Sequence, residues 1–172
     1  MIRRASPKPQ AANGKSEFFA DLQLEQYIVD ELQFQTNAEL NFDKARAPDP
    51  TIKVDLDVKG HNTDPDRYMV GLSVDLNRDQ KLEKVYLYKI HLHIYGWFHF
   101  VKPIDLAVKQ RAIHLNGSSI LYGIVRTVVA QLTGTLGPEK FILPTVNFVS
   151  LVKHKFKSKR IKTQATSVEH KK

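Results

Sequence analysis

The sequence predicts an α+β fold, a four-stranded antiparallel sheet followed by two C-terminal helices. Three observations lead there. Between residues 20 and 100, apolar side chains recur with a period of two in four runs, the period at which successive strand residues point to opposite faces. Turn-forming clusters separate the last three runs and suit antiparallel neighbours. Beyond residue 117 the period lengthens to that of a helix, with apolar rows spaced i, i+4. A chain of 172 residues, 42% of them apolar, has material for one core with tails.

Residues 1–15 mix Pro, Ala, Asn, Gly and charge without periodicity and read as a flexible lead-in; residues 16–156 read as the folded domain. In the first strand the apolar positions run Leu22 and Leu24, then Tyr27 and Val29, then Leu32 and Phe34. Two slips of phase imply a long strand, over 18–34, with bulges. Residues 36–50 form a polar connector ending in Pro48-Asp49-Pro50, of a length at which loops often carry function. Strand 51–59 alternates most cleanly, with Ile52, Val54, Leu56 and Val58 on one face and Lys53, Asp55, Asp57 and Lys59 on the other. The turn at 61–66 leads to Tyr68, Val70, Leu72, Val74 and Leu76, and the turn at 77–80 leads to the fourth run. There Tyr86, Tyr88, Ile90, Leu92 and Ile94 oppose Val85, Leu87, Lys89, His91 and His93. One face of such a sheet needs a covering layer.

The helices supply it. Asn116-Gly117-Ser118-Ser119 reads as a joint and N-cap for a helix over 120–133, with Ile120, Ile124, Val128 and Leu132 in one row and Leu121, Val125 and Val129 in the next. The β-branched content is compatible with a strand, but two unbroken rows and a cap favour a helix. So wide an apolar arc requires cover on two sides, its own sheet and a second subunit. Gly134 ends this helix, 136–143 is an apolar loop, and Pro144 opens a second helix over 145–156.

The net charge of +8 is unevenly placed. Residues 1–19 carry four basic side chains against Glu17, and residues 151–172 carry eight against Glu169, which leaves 20–150 at −2. A nucleic-acid-binding domain carries its cations on the fold itself, so nucleic acid is not the expected partner; 157–172 reads as a basic, disordered tail. The runner-up assignment is a nucleic-acid module acting through that tail. Cys is absent, and no uninterrupted apolar run in the sequence reaches the eighteen or so residues of a membrane span, so a cytoplasmic protein without membrane insertion is expected.

Catalytic patterns are weak. Gly134 to Lys140 lacks the Gly-Lys-Ser/Thr spacing of a phosphate loop, and Ser118-Ser119 lacks a nucleophile context. His91 and His93 share a strand face without a third ligand at a telling spacing, and Asp55 and Asp57 read as solvent-facing charges. No enzyme, metal or cofactor is expected. What stands out is apolar and aromatic: Tyr95, Trp97, Phe98 and Phe100 at the end of the fourth strand, and Leu136, Phe141, Ile142 and Leu143 in the loop. They suit either core filling or a groove for extended polypeptide.

Five segments in order resemble the protein-export chaperone SecB family: residues 51–58 after Phe42 and Pro50, residues 68–76, Gly96-Trp97-Phe98-His99-Phe100, the run from Ile120 to Arg126, and Leu143-Pro144-Thr145-Val146-Asn147-Phe148. The resemblance spans about residues 20–152. It implies a subunit assembled as a dimer of dimers, a homotetramer, with long helices between dimers; Ile120, Leu121, Ile124, Val125, Val128 and Val129 are the candidate interface. It implies an ATP-independent holdase for unfolded or nascent clients, with Leu24, Phe34, Phe42, Trp97, Phe98, Phe100, Leu136, Phe141, Leu143 and Phe148 as candidate peptide contacts. Export-coupled members dock the SecA motor through acids on the outer sheet; the matching positions here are Glu31, Gln35 and His91, of which one is an acid. Other members guard the antitoxin of a toxin–antitoxin pair, so an antitoxin is the alternative partner.

Overall fold

A computed structural model describes residues 20–37, 49–78, 86–137 and 139–155. Four strands, β1 (Leu22–Thr36), β2 (Ile52–Gly60), β3 (Arg67–Leu76) and β4 (Tyr88–Phe100), form one antiparallel sheet in the order β1-β4-β3-β2. The register of β1 on β4 shifts between Leu24 and Gln26 and again between Val29 and Glu31, where the apolar phase slips. These bulges keep Leu22, Leu24, Val29, Leu32 and Phe34 on the inner face, opposite Phe100, Phe98, Ile94, Leu92 and Ile90. The lead-in 1–15, the connector residue Phe42 and the tail 157–172 lie outside the described residues.

The inner face is covered by one continuous helix, Leu106–Leu136, made of α1 (Leu106–Ala112), a π-helical turn (Ile113–Gly117) and α2 (Ser118–Leu136). This corrects the expected joint at Asn116 to Ser119. Residues 106–117 are already helical, so Ser118 and Ser119 do not cap; their hydroxyls donate back to the carbonyls of His114 and Leu115, at 2.7 Å each. The long helix ends at Gly137 instead of Gly134. By length and composition alone it could cross a bilayer, yet Leu121, Val125 and Val129 are buried in the core shared with the sheet. Gly96 admits that contact, since a Cβ there would stand 2.6 Å from Leu121 Cδ2.

A second helix, α3, spans 148–155. Its cap is Asn147, not Pro144: the Asn147 side chain accepts from the Ser150 amide at 3.1 Å and its carbonyl from the Leu151 amide at 3.1 Å. Pro144 fits the extended linker, which an Asn cap then ends. Lys155 anchors α3 to the edge strand β2 through Asp55 Oδ1 at 2.7 Å and the Leu56 carbonyl.

Candidate functional site

The end of the sheet where β1 finishes, β2 starts and β4 starts collects aromatic side chains. The chain leaves the described region at Asn37 and re-enters at Asp49, and Asn77 holds this corner together. Its amide accepts from the Thr51 amide at 2.9 Å and donates to the Tyr88 carbonyl at 3.0 Å, and its backbone N–H donates to the Thr51 carbonyl at 2.8 Å. Its φ of 53° is left-handed, a conformation Asn tolerates better than larger residues. Nearby, Tyr86 Oη donates to the Asp49 carbonyl at 3.2 Å.

Tyr88 is the hub of the corner. Its hydroxyl accepts from the Glu139 amide at 3.0 Å and donates to the Glu139 carbonyl, which fixes the linker leaving α2. Phe34 stacks on the same ring with centroids 5.9 Å apart. Gly137 must be a glycine for steric reasons, because a Cβ there would lie 2.6 Å from Tyr88 Cε1 and 2.7 Å from Cζ. Phe141 is positioned by its backbone amide, which donates to the buried Thr133 Oγ1 at 2.9 Å. Two hollows result. One, of about 170 Å³, lies among Pro50, Leu76, Tyr86, Tyr88, Lys140 and Phe141; the other, of about 490 Å³, shares Tyr86, Leu87 and Tyr88 with it and extends beside Gln35, Thr36 and Lys89.

The rest of the linker is tied to α2. Arg126 Nε donates to the Leu143 carbonyl at 2.9 Å, and Tyr122 Oη donates to the Pro144 carbonyl at 2.7 Å. Tyr122 also meets Phe148 edge-on at 5.7 Å. Burial pushes its phenol up from the ordinary value of 10.0, against the smaller downward pull of the Arg126 guanidinium. Leu136 and Ile142, 62% and 58% exposed, leave apolar surface on either side of this tether.

The structure divides the candidate contact residues. Phe34 and Phe141 are half-buried at the aromatic corner and Leu136 is exposed beside it; Leu24 is half-buried at the opposite end of β1. Phe98, Phe100, Leu143 and Phe148 are corrections, because each is buried in the subunit's own core. The Trp97 side chain points to the face opposite that of Phe98, since neighbouring strand residues face opposite sides. It stands on the outer face, lining a hollow of about 500 Å³ with Lys59, Arg67 and Met69. Tyr86, Tyr88 and Asn77, which organise the corner, read in the sequence as ordinary strand and turn residues.

Among the interface candidates, Leu121, Val125 and Val129 are likewise corrected to core residues. Ile120 is 38% exposed, and Ile124 and Val128 are half-buried in the adjacent row. On the outer face, His91 lies between acids, with Nδ1 2.7 Å from Asp75 Oδ1 and Nε2 3.5 Å from Glu31 Oε2; Gln35 is exposed opposite Lys89. His93 has its own carboxylate, Asp30, at 3.2 Å. Among the described residues no three His, Asp or Glu side chains are grouped to hold a metal ion.

The fold has counterparts among solved structures. A Mycobacterium tuberculosis SecB-like chaperone, solved in complex with a ChAD peptide from an antitoxin, superposes with a TM-score of 0.51 at 15% identity, covering 74% of this chain and 91% of that one. A Streptococcus agalactiae protein of unknown function matches at a TM-score of 0.42 and 13% identity, over 72% and 97% of the two chains. No curated protein matches. The family model described as preprotein translocase subunit SecB matches residues 16–159, most of the chain and every element described above, and the chain therefore belongs to the SecB family.

Proposed function

We propose that the protein is a cytoplasmic, ATP-independent holdase that binds non-native polypeptide at the aromatic corner of its sheet, as a homotetramer built as a dimer of dimers. The observation that carries this reading is the corner itself: Tyr86, Tyr88 and the half-buried Phe141 line open hollows, Phe34 stacks on Tyr88, Leu136 and Ile142 extend the exposed apolar surface, and among the described residues no metal-ligand grouping accompanies them. A few client side chains burying about 1.5–3 kcal/mol each would reach micromolar affinity, about −8 kcal/mol, after entropic losses. The outward row Ile120, Ile124 and Val128 supports an interface between copies.

The test is the refolding of a slow-folding client with stoichiometric protein. Delayed folding supports the reading, and an unchanged rate refutes it. A dedicated antitoxin client is the second reading. The fold match to a SecB-like chaperone bound to an antitoxin peptide favours it, as does an outer face where Gln35 and His91 stand in place of acids. SecA docking would then be lost. Measuring binding to SecA and to an antitoxin segment separates the two partners.

A further inference from the structure

A separate hollow lies where the first turns of the long helix pass α3. It has a volume of about 360 Å³, with Leu115, Val149 and Val152 as its floor and Arg111, His114 and Lys153 at its rim. Val149 is 46% exposed, and Leu115 and Val152 are half-buried against the core. The rim has one sign of charge. No acid is among the described residues that line the hollow, and neither Arg111 nor Lys153 forms an ion pair with a described residue. Elsewhere on the fold, Lys59, Arg67, Arg78, Lys102, Lys109 and Lys155 each have a carboxylate within salt-bridge distance, while Lys53, Arg126 and Lys140 have none among the described residues.

An apolar floor flanked by Arg111 and Lys153, two cations without an ion pair to a described residue, is complementary to a segment whose apolar side chains are flanked by carboxylates. A basic segment, including the chain's own 157–172, would be repelled from the rim. A neutral apolar segment would fill the floor while stripping water from two cations without compensation. We propose that this hollow between α1 and α3 docks acidic, apolar polypeptide segments. The proposal rests on the holdase reading and deepens it, because it gives clients a charge preference at a surface distinct from the aromatic corner.

The experiment uses the full chain and two fluorescent peptides of equal length and equal Leu and Val content, one with Glu and one with Lys at the polar positions. Anisotropy should show the Glu peptide binding at least about tenfold tighter. Arg111→Glu with Lys153→Glu should abolish or reverse the preference. Val149→Gln with Val152→Gln, which leaves the charge unchanged, should weaken Glu-peptide binding about tenfold. Thermal melts identify variants that remain folded, and the Arg111 and Lys153 pair, both exposed, serves if the valine pair does not. Equal affinity for the two peptides overturns the proposal. So does Glu-peptide binding that survives the folded valine variant, which would place the attraction in the basic tail. A fall in oligomer mass in these variants without loss of peptide binding overturns it too, and makes the hollow an interface between copies. If Glu-peptide binding behaves as expected while client refolding is not delayed, the holdase reading fails and the docking site stands.

Discussion

Gly137→Ala should collapse the aromatic corner without straining the backbone. The φ of −110° and ψ of 165° at Gly137 are extended and open to any residue, so the whole effect is steric. The new methyl would overlap the Tyr88 ring, at 2.6 Å from Cε1 and 2.7 Å from Cζ, and the ring would have to move. Movement breaks its two hydrogen bonds to Glu139, worth about 1 kcal/mol each, and disturbs the Phe34 stack, worth about 0.5–1.5 kcal/mol. A loss of about 2–4 kcal/mol follows. Urea unfolding should report it as a lower midpoint with an unchanged slope, alongside weaker client binding. The cycle with Tyr88→Leu isolates the cause, because with the ring gone the alanine should cost less than about 1 kcal/mol. A cost that is small in the parent chain, or undiminished beside Tyr88→Leu, would refute the reasoning.

Three further outcomes follow from the same geometry. Asn77→Ala removes both side-chain bonds and places a β-carbon at positive φ, so it should destabilise by about 2–4 kcal/mol in urea unfolding, whereas Asn77→Gly, relieved of the dihedral, should cost less. Tyr122 has a folded pKa above its unfolded value of 10.0, so its contribution is intact below pH 10 and is lost as pH rises through the folded value. Tyr122→Phe should therefore lose about 1 kcal/mol at neutral pH, with the hydrogen bond to Pro144, and show a flatter stability profile above pH 10. At Gly123 a Cβ meets nothing within 4 Å in the subunit, so Gly123→Leu should stabilise an isolated subunit by up to about 1 kcal/mol. If copies assemble through that helix face, the same change should instead lower the mass seen by sedimentation.

Much of the fold was legible in local pattern. The period-two runs predict all four strands, and the phase slips at Leu24 to Tyr27 and Val29 to Leu32 mark both bulges, because a strand must keep its apolar residues on the covered face. Residues 106–117 carry no local helix signal: Leu106 and Val108 are exposed, Ile113 and Gly117 are buried, and no regular stripe announces the turn that carries them. The candidate site was half legible. Phe34, Leu136 and Phe141 stand out as large apolar residues, but so do Phe98, Phe100, Leu143 and Phe148, and composition does not distinguish surface from core.

Alternation along the chain determined which residues share a face of the sheet, that a helical layer must cover one of them, and that the basic charge gathers in the tails. These are properties of neighbours in sequence, set by backbone periodicity and side-chain polarity. Only the tertiary structure decided that α2 spends Leu121, Val125 and Val129 on its own sheet, that Tyr88 ties β4 to the linker after α2, and that Arg111 and Lys153 flank one hollow. The physical reason is that burial and pairing depend on which distant segments pack together, and residues 51 or 42 positions apart in the chain carry no local signal that they will touch.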